Sequence, residues 1–404
     1  MSAIGKFIPK SGAECRINSL CSSFLGFLVN NKKLAFVANT AWSMFNFRHG
    51  LLSRLIDDGY QLTIIAPHDE FSDKLRQMGC AVVDLPMEAK GTNPLQDLKL
   101  IYTLYRIYQQ IAPAFIIHYT IKPNIYGSLA AKLAGIASLA ITTGLGYTFV
   151  NDNVVAKVAH VLYKLAFRFP KEVWFLNEDD RQVFLQHQLI AEHKAVLLHG
   201  EGVDLSHFAP QAMPTADGAD GKVRFLLIAR MLWDKGVGEY VEAARIVRQQ
   251  YPQAVFQLLG ACGVANPSVI EREQITQWEQ AGLVEYLGTT PDVRPVIANA
   301  DCVVLPSFYR EGVPRTLMEA AAMAKPLITT DNVGCRDVVL PGHTGWLCPV
   351  KDAQALADCC GQMITMSVEQ RSLMGSAGRE FMRQKFDEKL VIEQYLQTLK
   401  RYGL

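Results

Sequence analysis

Asp301-Cys-Val-Val-Leu-Pro-Ser-Phe-Tyr-Arg-Glu-Gly-Val-Pro-Arg-Thr-Leu-Met-Glu319 reads as one strand, one loop and the start of one helix. The continuous apolar run from Cys302 to Leu305 fits a strand buried on both faces, as in a parallel sheet. Pro314 suits the first helical position, where its missing N–H would have no intrahelical acceptor anyway. Ala320 to Ala324 continues that helix. Glu311 therefore falls in the loop and Glu319 inside the helix. The N–H groups of Arg315, Thr316 and Leu317 would point out of the helix start, a setting that suits phosphate. Carboxylates flanking such an anion site can take the hydroxyls of a sugar or a ribose. The same spacing also fits a loop glutamate and a solvated helix glutamate that bind nothing.

The unit repeats along the chain. Before it come apolar runs at Leu34–Ala38, Gln61–Ala66, Cys80–Asp84, Ala114–His118, Leu139–Thr142 and Glu172–Phe175. Leu51, Leu52, Leu55 and Ile56 recur at helical spacing, and further helical segments fall near 94–111, 123–134, 152–168 and 178–187. A polar interruption at Ala209–Gly221 follows. The alternation then restarts with strands at Arg224–Ala229, Ala254–Leu259, Val284–Leu287, Cys302–Leu305 and Pro326–Thr330. The pattern predicts an α/β protein with two doubly wound, Rossmann-like domains in tandem, at 33–203 and 204–385. The segment 386–404 is expected to be a helix crossing back to the first domain, and 1–32 a leader outside the fold. Ligands of such sheets sit beyond the carboxyl ends of the strands, so the expected site is the cleft between the domains.

A chain of 404 residues exceeds what one core usually supports. Its net charge of +1 gives no drive towards nucleic acid. Nine scattered cysteines with no Cys-x-x-Cys pair favour reduced thiols and a cytoplasmic setting. The uncharged stretch from Ile17 to Asn31 is shorter than the roughly 20 residues a spanning helix needs. It fits a disordered leader or a short membrane-touching segment better than a signal peptide, since no small-x-small cleavage site stands out. No metal site is expected. No His/Cys/Asp cluster has zinc spacing, and Asp217 and Asp220 lie in the polar interruption rather than after a strand. Asn39-Thr-Ala-Trp-Ser43 and Gly260-Ala-Cys-Gly263 lack the dinucleotide fingerprint, which argues against a nicotinamide enzyme.

Arg230 and Lys235 follow the first strand of the second domain, where a ligand should sit. Together they can neutralise a diphosphate, both bound and leaving; the alternative is two ordinary surface cations. His118 closes a strand of the first domain. It fits a cleft residue bonding a sugar hydroxyl or a satisfied core histidine, and Lys122 and Asn124 have the same standing. Gly146, in Thr143-Gly-Leu-Gly-Tyr-Thr148, lets backbone approach a ligand. The helix at 152–168 sets an apolar face beside Lys157, His160, Lys164 and Arg168. That fits docking on an anionic membrane or a core-facing helix with a solvated basic side.

Ala229-Arg-Met-Leu-Trp-Asp-Lys-Gly-Val237, Tyr286-Leu-Gly-Thr-Thr-Pro-Asp-Val293, Glu311-Gly-Val-Pro314 and Gly342-His-Thr-Gly-Trp-Leu347 resemble the family 4 glycosyltransferases of the GT-B fold. The likeness runs from about Lys33 to the C-terminus. Phe47-Arg48 and Lys90-Gly-Thr-Asn-Pro94 look like a bacterial subgroup acting on undecaprenyl-diphosphate-linked sugars in O-antigen, capsule and protein-glycan assembly, with N-acetylgalactosamine as the sugar of the nearest likeness. The resemblance implies retaining, metal-independent transfer from a UDP-sugar, at the inner face of the cytoplasmic membrane, to a polyprenyl-diphosphate-linked acceptor. It implies that Arg230 and Lys235 hold the diphosphate, that Glu311 contacts the donor sugar near the reacting centre, and that Glu319 binds the ribose. Gly312, Val313, Pro314, Arg315 and Thr316 would contact sugar and phosphate through backbone, and Thr290 the uracil. His118 would stand among the catalytic residues, with Lys122, Asn124 and Gly146 on the acceptor side. A UDP-sugar epimerase of similar build and a non-catalytic sugar-nucleotide-binding protein are the alternatives, separated by product analysis with and without a lipid acceptor.

Overall fold

The computed structural model describes residues 32–87, 93–145, 154–211 and 221–404. Gly146, Asp217, Asp220 and Lys90 to Thr92 lie outside them. The first domain runs β1 (Lys33–Val37), α1 (Ala41–Asp57), β2 (Gln61–Ala66), α2 (Ser72–Gln77), β3 (Ala81–Asp84), α3 (Pro94–Ile111) and β4 (Phe115–Tyr119). A π turn at Pro123–Gly127 then leads into α4 (Ser128–Ala134), followed by β5 (Ala137–Thr142), α5 (Val154–Ala166), β6 (Glu172–Phe175), α6 (Glu178–Gln186) and β7 (Ala195–Leu197). The strands form one seven-stranded parallel sheet, in the order β3-β2-β1-β4-β5-β6-β7. Helices cover both faces: Leu34, Phe36 and Ile117 pack towards α1, while Ala35, Val37 and Ile116 pack towards α3 and α4.

The second domain runs β8 (Arg224–Ile228), α7 (Val237–Gln250), β9 (Val255–Leu259), α8 (Arg272–Gln280), β10 (Glu285–Tyr286), α9 (Arg294–Asn299) and β11 (Cys302–Leu305). It continues with α10 (Arg315–Ala322), β12 (Leu327–Thr330), β13 (Gly345–Cys348), α11 (Ala353–Thr365) and α12 (Val368–Lys385). Its parallel sheet has six strands in the order β10-β9-β8-β11-β12-β13. The chain reverses direction across the sheet between β8 and β11, and between β1 and β4 in the first domain. Doubly wound sheets open their ligand crevices at such points.

Two strands, β7 and β13, were not among those predicted. Each has four residues or fewer; β13 opens on a glycine, a poor strand former, so neither gives a clear period. Pro314 is corrected from first helical residue to N-cap: its backbone is extended (φ −65°, ψ 117°) and α10 begins at Arg315.

The domains are joined twice, and the two crossings touch. Val203 lies parallel to Asp387, with Val203 N–H donating to the Phe386 carbonyl at 2.8 Å and Glu388 N–H to the Val203 carbonyl at 3.1 Å. The last helix, α13 (Glu388–Arg401), then buries Val391, Ile392, Tyr395 and Leu399 in the core of the first domain. Beside this junction α1 bends at Arg48 (φ −130°, ψ 16°). The buried Arg48 guanidinium pairs with Glu201, donates to the Ser43 carbonyl at 3.2 Å and stacks 3.9 Å above the Tyr119 ring. Tyr119 and Tyr395 share a 2.7 Å hydroxyl contact. Leu399 is 2% exposed, so Leu399→Ala should destabilise the first domain by about 3 kcal/mol, the usual cost of such a cavity, as read from chemical denaturation.

Candidate functional site

Three loops at the β8–β11 end of the second sheet meet around one carboxylate. The loop after β8 carries Arg230 and Lys235 and turns into α7 through Gly236, whose φ of +75° is the left-handed conformation that glycine adopts freely. A Cβ there would overlap the Pro306 carbonyl. The absence of a side chain thus lets the β8 loop press onto the end of β11. Phe308 and Tyr309 donate their N–H groups to the Asp234 carbonyl at 3.1 and 3.0 Å and fasten the two loops together.

The Lys235 ammonium then reaches the buried Glu311 carboxylate in an ion pair. Ser307 Oγ lies 2.9 Å from the same carboxylate oxygen, and Lys235 Nζ stands 5.1 Å over the Tyr309 ring. These contacts fix the direction in which Glu311 points. An ammonium has three donors, so Lys235 can keep Glu311 while engaging an anion. Arg230 is exposed at the same strand end, with no hydrogen bond or ion pair among the described residues. A positive charge beside an oriented carboxylate, at a sheet's switch point, suits a phosphorylated ligand bearing hydroxyls.

Glu319 lies one helical stretch further on, paired with Arg315 at 3.0 Å. Burial raises its carboxyl above the usual range, and Arg315 pulls it back. Arg315 also reaches the first domain: its Nη1 donates to the carbonyls of Phe47 (3.3 Å) and Gly202 (3.4 Å), and the guanidinium sits 5.0 Å over the Phe47 ring. The Arg315 side chain is thus an interdomain tie, beyond the backbone role expected of it. Val313 packs against the cores of both domains. Thr290 sits in a turn after β10, its hydroxyl donating to the Asp292 carbonyl at 2.8 Å. Gly312, Val313, Pro314 and Thr316 line the loop and the first turn of α10.

The other side of the cleft differs from the sequence expectation. His118 is fully buried. Strand alternation turns it onto the α3 face, where its Nε2 lies 3.0 Å from the Tyr108 hydroxyl and the ring presses against Gly127. Burial holds the imidazole neutral, down to about 3, against a partial opposing pull from the Leu139 backbone. It packs as a core histidine. Asn124 is also fully buried and ties the π turn to β5 by donating to the Ile141 carbonyl at 2.8 Å. Lys122 pairs with Asp97 at 3.6 Å. Both residues are engaged within the domain rather than offered to an acceptor.

Sequence reading missed what the first domain does contribute. Asn177, the N-cap of α6, donates from Nδ2 to the Gly312 carbonyl at 2.7 Å. Asp180 accepts from Arg310 Nε at 2.7 Å. A Cβ on Gly312 would overlap the Thr143 carbonyl, so the Glu311 loop lies directly on the first domain. The available signal was Asn177 ahead of Glu178-Asp-Asp180, a cap with an acidic first turn, but a cap signature does not reveal a second partner. Among the described residues no cluster of His, Cys, Asp and Glu is placed to hold a metal ion.

Known proteins share this architecture. Residues 33–177 match the family model "Glycosyl transferase 4-like", and residues 222–366 match "Glycosyl transferases group 1". The chain is 29% identical over 382 residues to the N,N'-diacetylbacillosaminyl-diphospho-undecaprenol alpha-1,3-N-acetylgalactosaminyltransferase of Campylobacter jejuni, covering 91% of this chain and 98% of that protein. It is 23% identical over 281 residues to an Escherichia coli UDP-Gal:alpha-D-GlcNAc-diphosphoundecaprenol alpha-1,3-galactosyltransferase, covering 66% and 70%. Among solved structures, a Rickettsia africae glycosyltransferase superposes with a TM-score of 0.76 at 19% identity, covering 92% and 99%. Anabaena HepE in complex with UDP-glucose superposes with 0.75 at 19% identity, covering 91% and 99%.

The buried position of His118 gives a direct check. Its imidazole NMR signals should not titrate between about pH 5 and 8, well above a group held near 3 and across the range where a free histidine changes charge. The depressed value also costs stability in acid: the group adds no penalty above the unfolded value of about 6.5, and stability declines as pH falls from there towards 3.

Proposed function

This chain belongs to the glycosyltransferases of the GT-B fold, and on that premise we propose that it moves an N-acetylhexosamine, N-acetylgalactosamine first among them, from a UDP-sugar to a polyprenyl-diphosphate-linked saccharide with retention at the anomeric carbon. The observation that carries this reading is the cluster of Arg230, Lys235, Glu311 and Ser307 at the second domain's switch point. Full-length similarity to an enzyme named for an undecaprenol-linked substrate supports the acceptor class and the sugar.

The geometry suits an electrostatic mechanism. When the bond between the sugar C1 and the β-phosphate oxygen breaks, its electron pair moves onto UDP, the acceptor hydroxyl oxygen bonds to C1, and the hydroxyl proton passes to the departing phosphate. Arg230 and Lys235 offset that charge from fixed positions, which lowers the barrier without rearrangement. Glu311, held by Lys235 and Ser307, orients the donor sugar. Glu319 takes the ribose hydroxyls, the α10 start and the 312–316 backbone the phosphates and sugar, and Thr290 the uracil. Arg230 and Lys235 supply positive charge where a metal would otherwise be needed, and the proposed transfer uses no metal.

The acceptor's lipid places the reaction at a membrane surface, and we assign the cytoplasmic face. Among the described residues no helix is long and apolar enough to cross a bilayer. Helix α5 instead exposes Val158, Val161 and Leu165 beside Lys157, Lys164 and Arg168, while Ala159, Tyr163 and Ala166 face the core. Helix α3 exposes Leu95, Leu98 and Tyr102, and both helices pack on the π turn. Apolar side chains ringed by cations suit an anionic lipid surface.

A screen of UDP-sugars against a polyprenyl-diphosphate-linked acceptor mixture tests the reaction, and the anomeric coupling of the product tests retention. Lys235→Ala and Glu311→Ala should each lower turnover by about a hundredfold or more, the scale of losing an oriented charge; near-normal turnover in both would sink the site assignment. The rate should survive EDTA. Val161→Glu should weaken sedimentation with anionic vesicles and leave transfer to a short-chain, soluble acceptor unchanged.

A further inference from the structure

The Glu311 loop belongs to the second domain, yet its backbone is held by the first. Asn177 is fixed as the cap of α6, its Oδ1 accepting from Asp180 N–H at 2.7 Å, so its Nδ2 can be aimed only outward, at the Gly312 carbonyl 2.7 Å away. The same Nδ2 lies 3.4 Å from the Glu311 carbonyl and 3.3 Å from Asp180 Oδ2. Asp180 is fully buried and accepts from Arg310 Nε at 2.7 Å. Three consecutive residues, Arg310, Glu311 and Gly312, are therefore gripped from one helix terminus across the cleft. Beside this grip Gly312 lies against the end of β5, where a Cβ would overlap the Thr143 carbonyl. Within the second domain the Glu311 carboxylate is set by Lys235 and Ser307, but the backbone that carries it is set by α6.

We propose that Asn177 and Asp180 are positioning residues for glycosyl transfer: they bring the Arg310–Gly312 backbone into register, so that Glu311 meets the donor in reacting geometry when the domains are together. This rests on the assignment of Glu311 to the donor site. It makes domain closure and completion of the active centre one event. UDP binds the second domain without this grip, and the chemical step requires it.

The charge environment gives the proposal a signature. Asp180 faces the Arg310 guanidinium, with Asp179 beside it on α6 and the Tyr163 hydroxyl on α5 close enough to feel its charge. Burial raises the Asp180 carboxyl, against the pull of Arg310 and Asn177, to about 6. Below that value it is protonated and the charged grip on Arg310 is lost; above it the pair forms.

The test uses the full chain with the best donor of the screen and the lipid-linked acceptor, together with calorimetric titration of UDP. Asn177→Ala, Asp180→Asn and Arg310→Gln should each lower kcat by about tenfold to a hundredfold, as a misplacement of about 1 Å does, while the Kd for UDP stays within about twofold. The double variant Asp180→Asn/Arg310→Gln should be no slower than the worse single variant, because one contact is lost in all three. The wild-type kcat should rise through about pH 6, and that limb should be absent in Asp180→Asn. If Glu311→Ala stops turnover while all three single variants run at the wild-type rate, the positioning role is overturned and the donor site stands. If Glu311→Ala itself runs at the wild-type rate, the donor-site assignment falls and this inference with it. A parallel loss of Tm and UDP binding in the partly exposed Arg310→Gln would mark a purely structural contact and also overturn the proposal.

Discussion

The contact between Gly236 and the Pro306 carbonyl sets the spacing on which the rest of the site depends. Strand ends in a parallel sheet lie about 5 Å apart, but the loops beyond them diverge unless something draws them in. Here a residue without a side chain lets one loop lie on the other, and the Asp234 carbonyl accepts two N–H groups from across the gap. With the loops fixed, Lys235 and Ser307 both reach one oxygen of the Glu311 carboxylate. A cation placed in this way needs no reorganisation when negative charge develops nearby, which is where electrostatic catalysis gains most.

Part of this arrangement is legible in the sequence and part is not. Alternating apolar runs and helical periods gave the two sheets, and the strand-end position of Arg230 and Lys235 placed them near Glu311 before any contact was known. The resemblance to family 4 enzymes supplied the roles. Failures came where a residue's direction mattered more than its place in the chain. His118 sits near a strand end, as a ligand-binding residue would, but alternation along β4 turns it into the core beneath Tyr108. Asn124, which reads as either a cleft or a core residue like His118, is a buried tie to β5. Asn177 and Arg310 are 133 residues apart in sequence, so no local signal could show that they serve one loop. β13 was passed over because a strand opening on glycine has almost no period to detect.

Three ion pairs stand at or beside the domain junction, and the pair of Arg310 with Asp180 crosses it. Arg48 with Glu201, Arg310 with Asp180 and Arg315 with Glu319 each place a guanidinium against a carboxylate where water is scarce. Buried ion pairs add little net stability over apolar packing, but breaking one by removing a partner is costly. Their effect is geometric: each pair tolerates only a narrow range of separations. Arg315 extends this from the donor loop to the bend in α1 at Phe47 and Arg48. The Glu311 loop is thereby tied to the first domain beside the junction.

The parallel contact of Val203 with Asp387 has a consequence for how the molecule is made. The chain leaves the first domain and returns to it at a single point, so the second domain is topologically an insertion within the first. Val391, Ile392, Tyr395 and Leu399 belong to the core of the domain that is synthesised first, yet they follow the whole of the second domain in the chain. Until they arrive, that core has an open apolar face along α1 and the central strands. The second domain, whose strands and helices are contiguous in sequence, can complete its own core earlier. The core of the first domain can therefore be completed only after the second domain has been synthesised, and its apolar face is exposed until then.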